Sequence, residues 1–166
     1  MSILKPRRFV RLVTDIDLAG LRAEGLELLI VDLDNTMTPR GTRELPPAVV
    51  SWLTRARDLG FELAVVSNNW AGVVAEVLER AGLNGVLVAA SAGKPLPFSF
   101  RSVMRRAGVT RAKAAIVGDQ VFTDVLGGNW AGGYTILVEN LGGKEHLLTR
   151  LLRLLEARLK TRWGFR

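Results

Sequence analysis

Leu28-Leu29-Ile30-Val31-Asp32-Leu33-Asp34-Asn35-Thr36 is the stretch whose reading decides the fold of this chain. Its apolar half reads as a buried strand. Two carboxylates one residue apart then leave the strand's carboxyl end. Side chains i and i+2 of a strand share a face, so Asp32 and Asp34 can point the same way. Like charges that close repel unless a cation or another partner compensates. The stretch therefore points to a divalent metal, to phosphate chemistry, or to both. A strand end closed by an Asx turn is the plainer reading of the same residues.

Outward from Glu27–Asp32, further strand-like runs occur at Phe61–Ser67, Val86–Ala89, Ala114–Val117 and Tyr134–Val138. Helical segments separate them. Pro46-Pro47 opens one that runs to Leu59 and stops at Gly60, as proline at a helix start and glycine past its end predict. Others are expected at Ala71–Ala81, Pro97–Ala107 and Val121–Leu126, with a last one over Lys144–Thr161. Near the amino terminus, Thr14-Asp15 can cap a short helix over Ile16–Ala23. Strand alternating with helix argues a three-layer α/β domain on a mainly parallel, five-stranded sheet. At 166 residues the chain suits one domain with a sizeable core. Residues 1–24 read as an N-terminal extension and 143–166 as a basic helix and tail. Asn69-Trp70-Ala71-Gly72 recurs as Asn129-Trp130-Ala131-Gly132, too little for a repeat architecture.

The formal charge is +7, unevenly placed. Lys5, Arg7, Arg8 and Arg11 open the chain without an acid, and basic residues outnumber Glu145 and Glu156 beyond residue 140. Between these ends the chain is nearly neutral. Basic ends suit an anionic partner such as a lipid surface, RNA or a phosphorylated substrate, or they are simply solvated. There is no cysteine, which excludes disulfides and Cys-ligated zinc. The charge-free run Val125–Val138 is too short and polar to span a bilayer, and no signal peptide is evident. The expected location is the cytoplasm, with peripheral attachment at an inner membrane face as the variant that the basic ends suggest.

Parallel sheets bind ligands beyond the carboxyl ends of their strands. Polar residues gather there after each of the first four strands: Asp32 and Asp34, then Ser67-Asn68-Asn69, then Lys94, then Gly118-Asp119. A phosphate ester is an anion, so a carboxylate attacks it only once charge is neutralised, and Mg²⁺ on hard oxygen ligands does this. Asp32 can ligate with one oxygen and attack with the other, forming an acyl phosphate. Asp34 then protonates the leaving alcohol and later deprotonates water. Ser67, with Asn68 beside it, is placed to bind phosphoryl oxygens. Lys94 offsets the accumulating negative charge. Asp119 is a metal ligand, with Asp124 as a second or outer partner. Taken singly, each of these residues is commonly a cap or a turn; their order, each after its own strand, is what argues for a site.

Together the motifs resemble the haloacid dehalogenase superfamily of phosphohydrolases. Asp32-Leu33-Asp34-Asn35-Thr36 is similar to its first motif, Ser67 to its second, Lys94 to its third and Gly118-Asp119-Gln120-Val121-Phe122-Thr123-Asp124 to its fourth. Ser67-Asn68-Asn69, Gly93-Lys94-Pro95 and the run from Gly118 to Asn129 resemble the class IIIA, YqeG-type branch. The resemblance implies a Rossmann-like fold, Mg²⁺ dependence, a phosphoaspartyl intermediate on Asp32 and a main-chain carbonyl ligand from Asp34. That branch is similar to mitochondrial phosphatidylglycerophosphate phosphatases, which implies a phospholipid headgroup as substrate.

The intervals from Asp32 to Ser67 and from Ser67 to Lys94 leave no room for the cap domain that many superfamily members carry. An open site is therefore expected, suited to a large or membrane-embedded substrate. Arg40 and Arg43 follow the first motif and are candidates to grip a headgroup, or are solvated. Leu147, Leu148, Leu151, Leu152, Leu155 and Leu159 share a helical face that either packs on the sheet or lies on an anionic membrane. Trp163 and Phe165 follow as an interfacial tail, and His146 reads as a surface residue. Two rival functions stand beside the lipid phosphatase: a phosphatase for a soluble phosphorylated metabolite, nucleotide or protein, and an RNA- or ribosome-associated protein with a secondary phosphatase site. Against the last, no aromatic stacking platform is evident.

Overall fold

The computed structural model describes residues 2–142, 155, 156 and 158–164. Its strands are β1 (Arg8–Val10), β2 (Leu28–Val31), β3 (Glu62–Val66), β4 (Leu87–Ala89), β5 (Ala114–Gly118) and β6 (Tyr134–Val138). Its helices are α1 (Leu18–Ala23), α2 (Pro47–Asp58), α3 (Ala71–Arg80), α4 (Phe98–Arg106) and α5 (Leu126–Ala131). All strand pairs are parallel, in the order β1-β6-β5-β2-β3-β4. The chain runs outward through β3 and β4 on one side of β2. It then crosses to β5 and β6 on the other. The order thus switches between β2 and β5, where an open α/β sheet forms its ligand crevice.

Alternation along the strands builds the three layers. Leu29 and Val31 join Leu63, Val65, Ala115 and Val117 on one face, under α1, α2 and α3. Leu28 and Ile30 join Ala64, Val66 and Ile116 on the other, under Phe100, Val103 and Met104 of α4. β2 and β5 are buried along their whole length, as central parallel strands must be. Leu29→Ala would cost about 2–5 kcal/mol in so closely packed a layer. At the end of α2, Gly60 N–H donates to Arg57 O and Phe61 N–H to Ala56 O, a Schellman closure.

The sheet has six strands where the sequence suggested five. The added strand, β1, lies in the segment expected as an extension and pairs Arg8, Phe9 and Val10 with Ile136, Leu137 and Val138. Its residues are half-buried, so no apolar run announces it. The cap of α1 is Asp17, whose carboxylate accepts from Gly20 N–H. Thr14 and Asp15 instead fall in a 3-10 turn over Val13–Asp15, and the Asp15 carboxylate accepts from Leu12 N–H. The helix expected over Val121–Leu126 is a π-type turn, Val121–Val125, that runs on as α5 to Ala131.

Between β2 and α2 lies a loop with one isolated bridge, Asp34 to Thr38, and between β3 and β4 stands α3. Residues 155, 156 and 158–162 are helical, and Leu159 and Trp163 pack against Val121, Val125 and Leu137. Leu155 is exposed. Most of the expected last helix, with His146, the leucines at 147, 148, 151 and 152, and Phe165, lies outside the described residues. Among the described residues no helix is long and apolar enough to cross a membrane.

Candidate active site

β2 ends on Asp32, whose N–H donates to Val117 O of β5 at 2.9 Å. This ties the first carboxylate to the strand that delivers Asp119. The chain then turns sharply. Asn35 takes a positive φ of 62°, which asparagine tolerates better than most residues, and its N–H donates to Thr38 O at 2.7 Å.

Three buried carboxylates, Asp32, Asp119 and Asp124, offer oxygens that all lie within 4.8 Å of one another. The buried Lys94 ammonium sits 2.6 Å from Asp32 Oδ1 and 2.6 Å from Asp124 Oδ1. Thr36 Oγ1 donates toward Asp32 Oδ2 at 3.3 Å and lies 3.5 Å from Asp119 Oδ1. Asn140 Nδ2 donates to Asp119 Oδ2 at 2.8 Å. Gly118 makes room for this arrangement: a Cβ there would lie 2.2 Å from Asp124 Cγ.

Charge follows from the packing. Burial is the largest influence on Asp32 and pushes its carboxyl up to about 8; Lys94 opposes this, while Asp124 and Asp119 reinforce it. For Lys94, burial disfavours the charge, but Asp124 and Asp32 outweigh it and hold the ammonium above its ordinary range. Lys94 therefore stays charged, yet does not suffice to keep Asp32 ionised near neutrality. A cation among the three carboxylates would. The donor set, hard carboxylate oxygens in a buried cluster, fits a divalent metal.

Asp34 stands apart from that cluster. Asn69 Nδ2 donates to its Oδ2 at 3.0 Å, and the amide is oriented by Trp70 N–H, which donates to Asn69 Oδ1 at 2.8 Å. Ser67 is fully buried, and its Oγ accepts from Asn69 N–H at 3.1 Å. Asn68 forms a reciprocal pair with the main chain of Lys94: its Oδ1 accepts from Lys94 N–H at 2.9 Å, and its Nδ2 donates to Lys94 O at 3.3 Å. Asn68, expected on phosphate, here holds the main chain of the lysine. Arg40 N–H donates to Asn35 Oδ1, closing the loop, and Arg43 is ion-paired with Glu76 of α3 at 3.1 Å.

Sequence reasoning did not single out Asn140, or assign roles to Thr36, Asn69 and Glu156. Asn140 follows β6 as the other site residues follow their strands, and that rule points to it. Glu156 is buried, and its Oε1 accepts from Val121 N–H at 2.8 Å. No motif marks it.

The relatives of this chain place it among phosphoryl-transfer hydrolases. Residues 91–150 match a family model described as HAD-hydrolase-like. The chain is 30% identical over 154 residues to the probable phosphatase YqeG of Bacillus subtilis (strain 168), covering 93% of this chain and 88% of that one. It is 29% identical over 177 residues to phosphatidylglycerophosphate phosphatase 1, chloroplastic/mitochondrial, of Arabidopsis thaliana, covering 97% of this chain but 50% of that longer one. Among solved structures, the cobalt-bound deoxy-D-mannose-octulosonate 8-phosphate phosphatase of Haemophilus influenzae superposes with a TM-score of 0.57 at 16% identity, covering 72% of this chain and 78% of that one. The D,D-heptose 1,7-bisphosphate phosphatase of B. bronchiseptica gives 0.56 at 18% identity, covering 80% and 99%. The chain belongs to the haloacid dehalogenase-like hydrolases, in their YqeG-type branch, and is a phosphatase.

Proposed function

We propose that the chain is a Mg²⁺-dependent phosphomonoesterase that works through a phosphoaspartyl intermediate on Asp32. The observation that carries this is the junction of Asp32, Lys94 and Asp124, beside an Asp34 held separately by Asn69. Asp32 attacks phosphorus, the ester P–O bond breaks, and the leaving alkoxide takes its proton from Asp34. Asp34, now a carboxylate, removes a proton from water. The hydroxide attacks phosphorus, the acyl–phosphate bond breaks, and Asp32 and inorganic phosphate are regenerated. Ser67 and neighbouring N–H groups hold phosphoryl oxygens, and Lys94 offsets their charge. Mg²⁺ held by Asp32, Asp119 and the Asp34 carbonyl, with Asp124 as ligand or outer partner, would neutralise the carboxylates and the incoming phosphate.

The favoured substrate is a phosphate monoester carried on a membrane lipid, with phosphatidylglycerophosphate first. Support comes from the Arabidopsis relative, from the short loops and from exposed apolar side chains near the site residues in sequence. Trp70 is 79% exposed directly after Asn69; Leu96 and the 67% exposed Phe98 follow Lys94 closely. Such side chains suit a lipid interface, and the basic ends suit an anionic one. The test is a substrate panel with Mg²⁺, wild type beside Asp32→Asn. Release of phosphate by wild type alone, fastest from phosphatidylglycerophosphate vesicles, is expected. Cleavage of soluble esters with the lipid left intact would replace the lipid by a soluble metabolite.

A further inference from the structure

The loop from Gly118 to Asp124 delivers two of the three clustered carboxylates. Its first turn exposes N–H groups that a helix start cannot satisfy internally. Gln120 N–H donates to Asp124 Oδ2 at 3.2 Å. The next two go outside the loop: Val121 N–H donates to Glu156 Oε1 at 2.8 Å, and Phe122 N–H to the same oxygen at 3.4 Å. Glu156 is 3% exposed and belongs to the C-terminal helical residues. Leu159 and Trp163 of that segment pack on Val121, Val125 and Leu137.

We propose that Glu156 is a positioning residue for the metal carboxylates, clamping the turn between Asp119 and Asp124 from the far end of the chain. This rests on the reading of the cluster as a metal site. A carboxylate at a helix start satisfies the orphan donors and complements their partial charge. With that acceptor gone, the buried Val121 N–H and the half-buried Phe122 N–H seek new partners, and the turn that sets the spacing of Asp119 and Asp124 relaxes. The C-terminal segment thereby becomes part of the active-site architecture rather than an appendage.

The test uses the full chain stripped of metal, with Mn²⁺ as probe and its free aqua ion read by electron paramagnetic resonance. Glu156→Ala is expected to weaken Mn²⁺ binding about 10-fold or more, as loss of outer-shell support does. Glu156→Gln keeps an acceptor oxygen and is expected to bind nearly as wild type. Should Glu156→Ala fail to fold, Glu156→Asp, which withdraws the carboxylate by one methylene, carries the same expected weakening. A purely structural role would lower the melting temperature of Glu156→Ala while leaving Mn²⁺ binding at low temperature unchanged, and that result overturns the proposal. Asp119→Asn is titrated alongside. If it binds Mn²⁺ as wild type does, the metal reading itself falls. If it weakens binding while Glu156→Ala does not, only the role of Glu156 falls.

Discussion

Asn69 presents its Nδ2 to the Asp34 carboxylate at 3.0 Å, and it does so because Trp70 N–H fixes its other end. The two aspartates of the first motif therefore sit in different environments. Asp32 is buried against Lys94, whereas Asp34 is only half-buried and held by a neutral amide. A proton donor and a nucleophile need such a difference.

Asn69→Ala is expected to slow turnover of alkyl phosphates more than that of p-nitrophenyl phosphate, whose leaving group needs no proton. Asp34→Asn is expected to cut alkyl phosphate turnover about 10²- to 10⁴-fold, the usual worth of general acid–base catalysis. With p-nitrophenyl phosphate it should still show a burst of nitrophenolate, because only hydrolysis of the phosphoenzyme is impaired. Rapid-mixing kinetics on the two substrates check this; an equal loss in the rate of the first, phosphorylating phase on both would remove Asp34 from protonation of the leaving group.

The Asp32 carboxyl, pushed up to about 8 chiefly by burial, makes stability depend on pH. From about pH 4 to about pH 8 the native state holds a proton that the unfolded chain gives up, so stability falls as pH rises through that window. The change is on the order of a few kcal/mol. Lys94 does not offset it, since its raised pKa keeps its contribution whole until well above this range. Melting temperatures in a chelator should therefore decline from pH 4 to 8. Asp32→Asn, or saturating Mg²⁺, should flatten the decline. A flat profile for metal-free wild type would mean that Asp32 is not held protonated.

Two Gly→Ala substitutions should have opposite signs. At Gly118 an added Cβ meets Asp124 Cγ at 2.2 Å and Cβ at 2.4 Å, so Asp124 must leave its place beside Lys94. Overpacking of this kind costs about 1–3 kcal/mol, and here divalent-metal binding should weaken with it. Gly72, in α3, meets nothing within 4 Å and has no positive φ. Gly72→Ala should stabilise by about 0.5–1 kcal/mol through helix propensity. Thermal melts with and without Mg²⁺ check both.

Strands β2 to β6 were legible because each is an apolar run whose neighbours are helical or turn-like. β1 was not, because Arg8, Phe9 and Val10 become a strand only by pairing with β6. The length of α5 was hidden by Gly127-Gly128, which reads as a breaker. There the glycines serve close approach: a Cβ on Gly127 would lie 2.7 Å from Pro95 O. Asp32, Ser67, Lys94 and Asp119 could be picked out because each follows its own strand. The pairings of Asn68 with the Lys94 main chain, Asn140 with Asp119 and Glu156 with Val121 could not, since each joins residues far apart along the chain.

The exposed side chains of Trp70, Leu96 and Phe98 offer a test that separates a lipid substrate from a soluble one. Trp70, Leu96 and Phe98 are exposed and lie within a few residues of Asn69 and Lys94 along the chain. In water these side chains gain little. At a headgroup boundary each buries apolar surface worth up to about 1.5–3 kcal/mol. Trp70→Ser combined with Phe98→Ser should therefore reduce binding to anionic vesicles and raise KM for vesicle-borne phosphatidylglycerophosphate. Neither side chain is buried in the core, so kcat/KM for p-nitrophenyl phosphate and the melting temperature should stay near wild type. Co-sedimentation with vesicles and parallel kinetics on the two substrates measure the split. Equal loss on both substrates would assign these side chains to the chemistry, and no loss on either would remove the membrane from the account.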